Sequence, residues 1–235
     1  MIVSYNGLNY NGFQKQKSAN TIQDKLESAI KILTKQNVVC IASGRTDAKV
    51  SAYNQPVHFD IDKQIDEKKF VNSINGILPN DIKVLSISPT NLHARFSSKK
   101  KTYIYKMYIS NIELPLFSNA LRISPTLNFK AMKKFTKLIV GTHNFEGFKS
   151  SGGQTENNIR TIYSCKLINK GGYFIFKITG NGFLYKMVRN LVGTMLKIGE
   201  DKIKINYLKK HLFTDFKATN TARPEYLYLL NVCYK

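Results

Sequence analysis

Apolar residues fall into short runs whose period switches between two and about 3.6, which predicts alternating strands and helices. Residues 2–5, Ile-Val-Ser-Tyr, form a short strand that runs into the turn signal Asn6-Gly7. A loop rich in Asn, Gly, Gln and Lys follows. Ile22, Leu26, Ala29, Ile30 and Leu33 then recur at helical spacing behind a Thr21-x-x-Asp24 capping pattern. Residues 38–42 are an apolar, β-branched run bounded by Gly44, expected as a buried strand that delivers residues 44–49 into a loop. Residues 55–61 return as a strand with Val57, Phe59 and Ile61 alternating. Phe70, Val71 and Ile74 predict a helix ending before Pro79, and residues 82–87 a further strand.

The second half repeats this alternation. Residues 102–110 read as a strand, and residues 130–140 as a helix stopped by Gly141. Residues 159–167 and 172–179 follow as strands. Leu184, Met187, Val188, Leu191, Val192, Met195 and Leu196 then form the best apolar stripe in the chain. A short helix near Leu208 and a strand at Leu227–Cys233 close the pattern. Each half thus runs strand, helix, strand, strand, helix, strand, the ferredoxin-like order. The expectation is an α+β protein of two similar ferredoxin-like halves, residues 1–98 and 99–235. Each has an antiparallel sheet flanked by helices, with an active-site cleft between them.

Charge adds the first hint of function. Lys and Arg number 36 against 15 Asp and Glu, a formal net charge of +21. An excess of that size points to a polyanionic partner, nucleic acid before an anionic membrane. Drift toward Lys, Asn and Ile could supply part of it. Against such drift, the six arginines (Arg45, Arg95, Arg122, Arg160, Arg189 and Arg223) nominate positions where a planar guanidinium is needed. No apolar run reaches the roughly 20 residues that span a bilayer. The first residues lack the basic stretch and apolar run of a signal peptide. Cys40, Cys165 and Cys233 are odd in number and lack metal-ligand spacing. They read as reduced residues of a cytoplasmic protein.

No Cys/His/carboxylate cluster has metal spacing, and no Gly-rich loop follows a strand as a nucleotide fold requires. No metal and no cofactor are therefore expected. His58, His93, His143 and His211 are scattered. Asp47 stands apart, among Gly44, Arg45 and Thr46 just past a predicted strand, where site residues concentrate. An aspartate beside arginine keeps its negative charge and can act as nucleophile or base. Composition alone allows a second reading, in which Asp47 only completes a turn.

A run of motifs separates the two readings. Gly44-Arg45-Thr46-Asp47-Ala48 resembles the signature of the TruA family of tRNA pseudouridine synthases. In chain order, Tyr5 to Gln14, Thr21-Ile22-Gln23, Leu78-Pro79-Asn80-Asp81-Ile82, His93-Ala94-Arg95-Phe96-Ser97 and Tyr103-x-Tyr105 are similar to further family segments. So are His143-Asn144-Phe145, Arg160-Thr161-Ile162 and the stretch around Met187-Val188-Arg189-Asn190. The resemblance runs from about residue 3 to the end of the chain.

It implies conversion of uridine to pseudouridine without a cofactor, in the anticodon stem-loop of tRNA, by a homodimer. Asp47 matches the essential aspartate, Tyr103 the active-site tyrosine that stacks on the target uracil and could accept a late proton, and Arg189 an arginine that pairs with the aspartate. Arg45, Thr46, Lys49, Arg95 and Arg160 are the further residues expected to bind RNA, with Lys99, Lys100 and Lys101 as phosphate contacts. The same chemistry on a ribosomal RNA stem-loop, and a non-catalytic RNA-binding or chaperone protein, are the alternatives.

The chain also departs from the family. After Asp47 the family usually reads Ala-Gly-Val-His-Ala, whereas this chain has Ala48-Lys49-Val50-Ser51-Ala52. Phe13 stands where tryptophan is usual, Lys149 where arginine is, and Tyr226 where glycine is. If the Lys49 position needs φ > 0, the added Cβ has a cost.

Overall fold

The computed structural model describes residues 1–234 apart from Ser18, Lys63, Gln154 and Glu156. The first part of the chain forms β1 (Ile2–Tyr5), α1 (Ile22–Thr34), β2 (Ile41–Ala42), β3 (Ser51–His58), α2 (Glu67–Ile77) and β4 (Ile82–Ser86), in the expected order. β1 lies between β3 and β4 and is antiparallel to both. Ile22, Leu26 and Ile30 of α1, Ile74 of α2, and Val3, Ile82 and Val84 of the strands are buried. α1 begins as the capping pattern predicts. The Thr21 hydroxyl accepts the Asp24 N–H at 3.3 Å and donates to the Asp24 carboxylate at 2.8 Å. Lys15 reaches that carboxylate at 2.8 Å.

The predicted strand at 38–42 is a strand only at Ile41 and Ala42, which pair with His58 and Val57. Val39 is 68% exposed rather than buried. The returning strand starts earlier than expected, at Ser51, and ends before Phe59 and Ile61.

The second part contains β5 (Lys100–Ile109), β6 (Leu121–Ile123), α3 (Phe129–Leu138), β7 (Gly141–Asn144), β8 (Ile159–Lys170), β9 (Tyr173–Gly180), α4 (Met187–Gly199) and α5 (Ile205–His211). β9 is antiparallel to both β5 and β8. Gly171 and Gly172, with φ of 60° and 86°, form the two-residue turn between β8 and β9 that glycine permits. β7 pairs with β8, and β6 runs parallel to β5. The sequence pattern missed these two short strands, because three or four residues leave no readable period. α4 buries Met187, Val188, Leu191, Val192, Met195 and Ile198. It begins at Met187 rather than Leu184, because Lys186 adopts a left-handed conformation with φ 56°. A Cβ on Gly193 would lie 2.0 Å from the Asn220 carbonyl oxygen, so the 220–222 segment packs against bare helix backbone.

The last strand, β10 (Leu227–Cys233), changes the expected division of the chain. It runs parallel to β3, with Tyr228 opposite Ser51 and Leu229 opposite Ala52. The Asn54 amide donates to the Leu230 carbonyl at 3.0 Å, and Lys99 N–H donates to the Cys233 carbonyl at 2.8 Å. The two compact units are therefore Met1–Lys99 with Tyr228–Lys235, and Lys100–Leu227. The division at residue 98 has its counterpart at Lys99, but the terminal strand belongs with the first unit. Among the described residues no helix is long and apolar enough to cross a membrane.

Thr21 is fully buried, so Thr21→Ala leaves a helix donor without its cap. The expected loss is about 1–2 kcal/mol of stability, read from the urea unfolding midpoint at unchanged slope.

Candidate active site

The loop between β2 and β3 is held from inside the first unit. Gln55, on β3, is fully buried, and a buried amide needs partners. It finds them on Gly44. Its Oε1 accepts the Gly44 N–H at 3.2 Å, and its Nε2 donates to the Gly44 carbonyl at 2.6 Å. The side chain thus imitates a paired strand where β2 has ended. Two residues further on, the buried Thr46 hydroxyl hydrogen-bonds the Tyr5 hydroxyl at 2.8 Å. Burial pushes the Tyr5 phenol up to about 12, against the opposing pull of its bonds to Thr46 and Gln55.

A second loop braces the first. Phe13 N–H donates to the Thr46 carbonyl at 3.2 Å, and Lys49 N–H to the Tyr10 carbonyl at 3.0 Å. Gly7 allows this approach, since a Cβ there would lie 2.2 Å from the Val50 oxygen. The bracing loop is itself tied down by Asp81. The Asp81 carbonyl accepts the Asn6 N–H at 2.9 Å, and its carboxylate accepts from the Tyr10 hydroxyl at 2.6 Å and the Asn9 amide at 3.3 Å. Three motifs far apart in sequence, at 5–14, 44–48 and 78–82, are therefore one structural unit.

On this scaffold Asp47 is half-buried, Thr46 is buried, and Arg45, Ala48 and Lys49 are exposed. The Asp47 carbonyl accepts the Val50 N–H at 3.1 Å, which closes a turn over Ala48 and Lys49. That bond uses the Asp47 backbone and not the side chain on which the turn reading rested. Lys49 sits at φ 65°, in the left-handed region. The position where the family usually has glycine does require positive φ here. Ser51, where the family usually has histidine, is buried, and its hydroxyl accepts the Gly7 N–H at 2.9 Å. That substitution is absorbed into the bracing of the loop.

The second unit holds the other expected residues. Tyr103 is buried on β5 opposite Ile178, with the Phe183 ring edge-on at 5.2 Å and 88°. Arg189 is half-buried on α4. Its Nε donates to the Ala222 carbonyl at 2.8 Å, and Ala222 N–H donates back to the Arg189 carbonyl at 3.1 Å. The neighbouring Asn190 amide, also buried, donates to the Phe148 carbonyl at 2.8 Å and accepts the Thr221 hydroxyl at 2.6 Å. Arg189 is thus aimed by a segment about thirty residues downstream. Arg160 donates to the carbonyls of Asn157 and Ile159 at 2.9 and 2.6 Å, and burial lowers its pKa. The Lys100 ammonium lies 5.3 Å from the Tyr163 ring centre. Tyr226, where the family usually has glycine, sets its ring edge-on to the fully buried Tyr105 at 6.2 Å.

The structure therefore brings Arg45, Thr46, Asp47 and Lys49 onto one loop of the first unit. Arg95 joins Arg45 on the wall of a pocket in the same unit. Lys99 also belongs to the first unit, and Lys100, Lys101, Tyr103, Arg160 and Arg189 to the second. Among the described residues no three His, Cys, Asp or Glu side chains are grouped to hold a metal. Sequence reasoning missed Gln55, Tyr5, Asp81 and Asn190 as supports. The available signal was a polar side chain on an inward-facing position, Gln55 in a strand and Asn190 beside an apolar stripe.

The family described as tRNA pseudouridine synthase matches residues 1–97 and 135–235. The chain belongs to this family. A protein of Thermoanaerobacter sp. strain X514 named tRNA pseudouridine synthase A is 38% identical over 241 residues, covering 100% of this chain and 98% of its own. Those of that name from Anoxybacillus flavithermus and Streptococcus mutans are each 37% identical over 99% of this chain, and 96% and 97% of their own lengths. The family match includes the Asp47 loop, its bracing loop and α4. Tyr103 lies in the stretch between the two matched segments, and the alignments with these relatives span nearly all of the chain.

Two predictions follow from the loop. A left-handed conformation costs an L-residue roughly 1–2 kcal/mol, partly offset in a glycine variant by the freer unfolded chain. Lys49→Gly is expected to raise stability by up to about 1 kcal/mol and Lys49→Val to lower it, giving the order Gly, Lys, Val in chemical denaturation. The Tyr5 phenol, held at about 12, ionises later in the folded protein than in the unfolded chain, where its pKa is about 10. Its contribution is complete below about pH 10 and is lost as pH rises toward 12. The stability of Tyr5→Phe should lack this component of the alkaline decline, so the difference between the two proteins narrows across that window.

Proposed function

We propose that this protein is a tRNA pseudouridine synthase that isomerises uridines in the anticodon stem-loop, working in the cytoplasm as a homodimer. The single observation that carries the reading is the full-length kinship joined to a braced Asp47 loop. The net charge of +21 supports a polyanionic substrate, and lysine contacts to phosphate bind RNA without reading its sequence.

The reaction breaks the N1–C1′ bond of uridine, turns the freed base, joins C5 to C1′, and moves the C5 proton off as N1 gains one. Asp47 supplies the carboxylate that starts it, by adding to sugar or uracil or by taking a ribose proton. Tyr103 offers a flat face for the extruded uracil, and its hydroxyl is suited to take the C5 proton. Arg189 serves as the counter-charge of the aspartate. Arg45, two residues before Asp47, holds the flanking phosphate.

Pseudouridine mapping across tRNA and rRNA tests the proposal in cells that lack the protein or carry it as wild type or Asp47→Asn. Wild type should restore modification in anticodon stem-loops and Asp47→Asn should not, with a rate in vitro reduced by more than about 10²-fold. A change confined to rRNA would overturn the substrate, and full rescue by Asp47→Asn would overturn the role of the aspartate.

A further inference from the structure

The first unit has a pocket of about 310 Å³ beside the Asp47 loop, near the lower end of the roughly 300–1,000 Å³ typical of small-molecule sites. Phe13, Val39, Ile41 and Ala42 contribute apolar walls, and Arg45, His93, Arg95, Phe96 and Gln14 are among the other lining residues. Two of these apolar side chains face water, Phe96 at 77% exposure and Val39 at 68%. Phe96 is nevertheless ordered by its neighbours. Its ring stacks on His93 at 4.3 Å and 25°, and the Arg95 guanidinium lies 5.8 Å from its centre.

The aromatic step is rigid before any ligand arrives. His93 Nδ1 accepts the backbone N–H groups of Arg95 and Phe96 at 3.2 and 3.1 Å, which leaves the ring proton on Nε2 as a donor. The His93 carbonyl accepts the Ser97 N–H at 3.0 Å, closing a turn. His58 sits against His93 at 4.6 Å, and its Nδ1 accepts the Ala94 N–H at 3.1 Å. Ordering costs on binding are correspondingly small.

The charge on the wall is one-sided. Arg45 and Arg95 both line the pocket, and no carboxylate is among its lining residues. Burial and the charge of Arg95 lower the Arg45 pKa, so the two guanidinium groups feel each other in the free protein. An anion held in the pocket would offset both charges. An exposed, fixed aromatic face next to paired cations is the arrangement that holds a base and its phosphate.

We propose that this pocket is a second base-binding site, which stacks one unpaired nucleobase flanking the target uridine on Phe96 and seats its phosphate between Arg45 and Arg95. This inference rests on the RNA-modifying reading above. It fixes which neighbouring nucleotide must be unstacked before Asp47 can reach its target, and Gln14 brings an amide that can read the edge of the bound base.

The test uses the full chain with stem-loop RNAs that carry 2-aminopurine, or an abasic nucleotide, at each position flanking the target. Stacking is expected to quench 2-aminopurine at one flanking position with wild type and Phe96→Tyr, but not with Phe96→Ala. Phe96→Ala should weaken RNA binding about 5- to 150-fold with thermal unfolding unchanged. An abasic nucleotide at the quenched position should weaken wild type by a similar factor and leave Phe96→Ala unaffected. If Phe96→Ala binds within about twofold of wild type, or if no flanking abasic site is coupled to Phe96, the second site is overturned. Binding needs no turnover. A wild type that binds RNA but forms no pseudouridine would therefore overturn the enzymatic reading, while the coupling still decides the pocket.

Discussion

The site loop depends on one buried amide. Gln55 lies in the core of the first unit, where an unpaired polar group would cost about 1–3 kcal/mol, and it meets that need chiefly by gripping both backbone groups of Gly44, with a longer bond from its amide to the Tyr5 hydroxyl at 3.4 Å. The exchange is mutual. Gly44 is buried just beyond the end of β2, and without Gln55 its N–H and carbonyl would themselves lack strand partners. Tyr5 and Thr46 extend the same network further along the loop, and the 6–13 loop seals it from the other side. Asp47 follows directly on a backbone anchored at both polar groups of Gly44 and at the Thr46 carbonyl, so it is presented from a braced support although it sits on a loop.

That rigidity explains how the loop tolerates its unusual residues. Lys49 occupies a left-handed position that favours glycine, yet its N–H is bonded to Tyr10 and the turn beneath it is closed by Asp47 and Val50. The strain of one residue is small beside the bonds that over-determine its conformation. Ser51 fills its place differently, by turning a small hydroxyl inward to the Gly7 N–H. Both departures from the family pattern are thus local adjustments of a scaffold that still delivers Arg45, Thr46 and Asp47 in the same order.

The second unit holds Arg189 by similar means. Arg189 exchanges two hydrogen bonds with Ala222, and Asn190 ties α4 to Phe148 and Thr221. Gly193 lets the 220–222 segment approach the helix closely enough for those bonds to form. In both units a buried amide, Gln55 or Asn190, ties down the segment that carries the candidate residue, and a glycine, Gly7 or Gly193, supplies the room.

Sequence alone determined the order of the main elements, the Thr21 cap, the apolar stripe of α4 and the loop bearing Asp47. These are local features, written in period, capping chemistry and short motifs, and they need no knowledge of distant residues. The strongest functional signal, the ordered motifs from residue 3 onward, was also legible, although the reason for their spacing was not. Only the tertiary structure decided that motifs at 5–14, 44–48 and 78–82 are one braced assembly, because hydrogen bonds between residues forty or seventy positions apart leave no periodic trace. It likewise decided that β2 is two residues long and that β10 joins the first unit, since strand partners are chosen by available edges rather than by the strand's own composition. The stacked His93 and Phe96 beside Arg45 belong to the same class. Their residue types were visible in the chain, but their meeting in one pocket arises from folding.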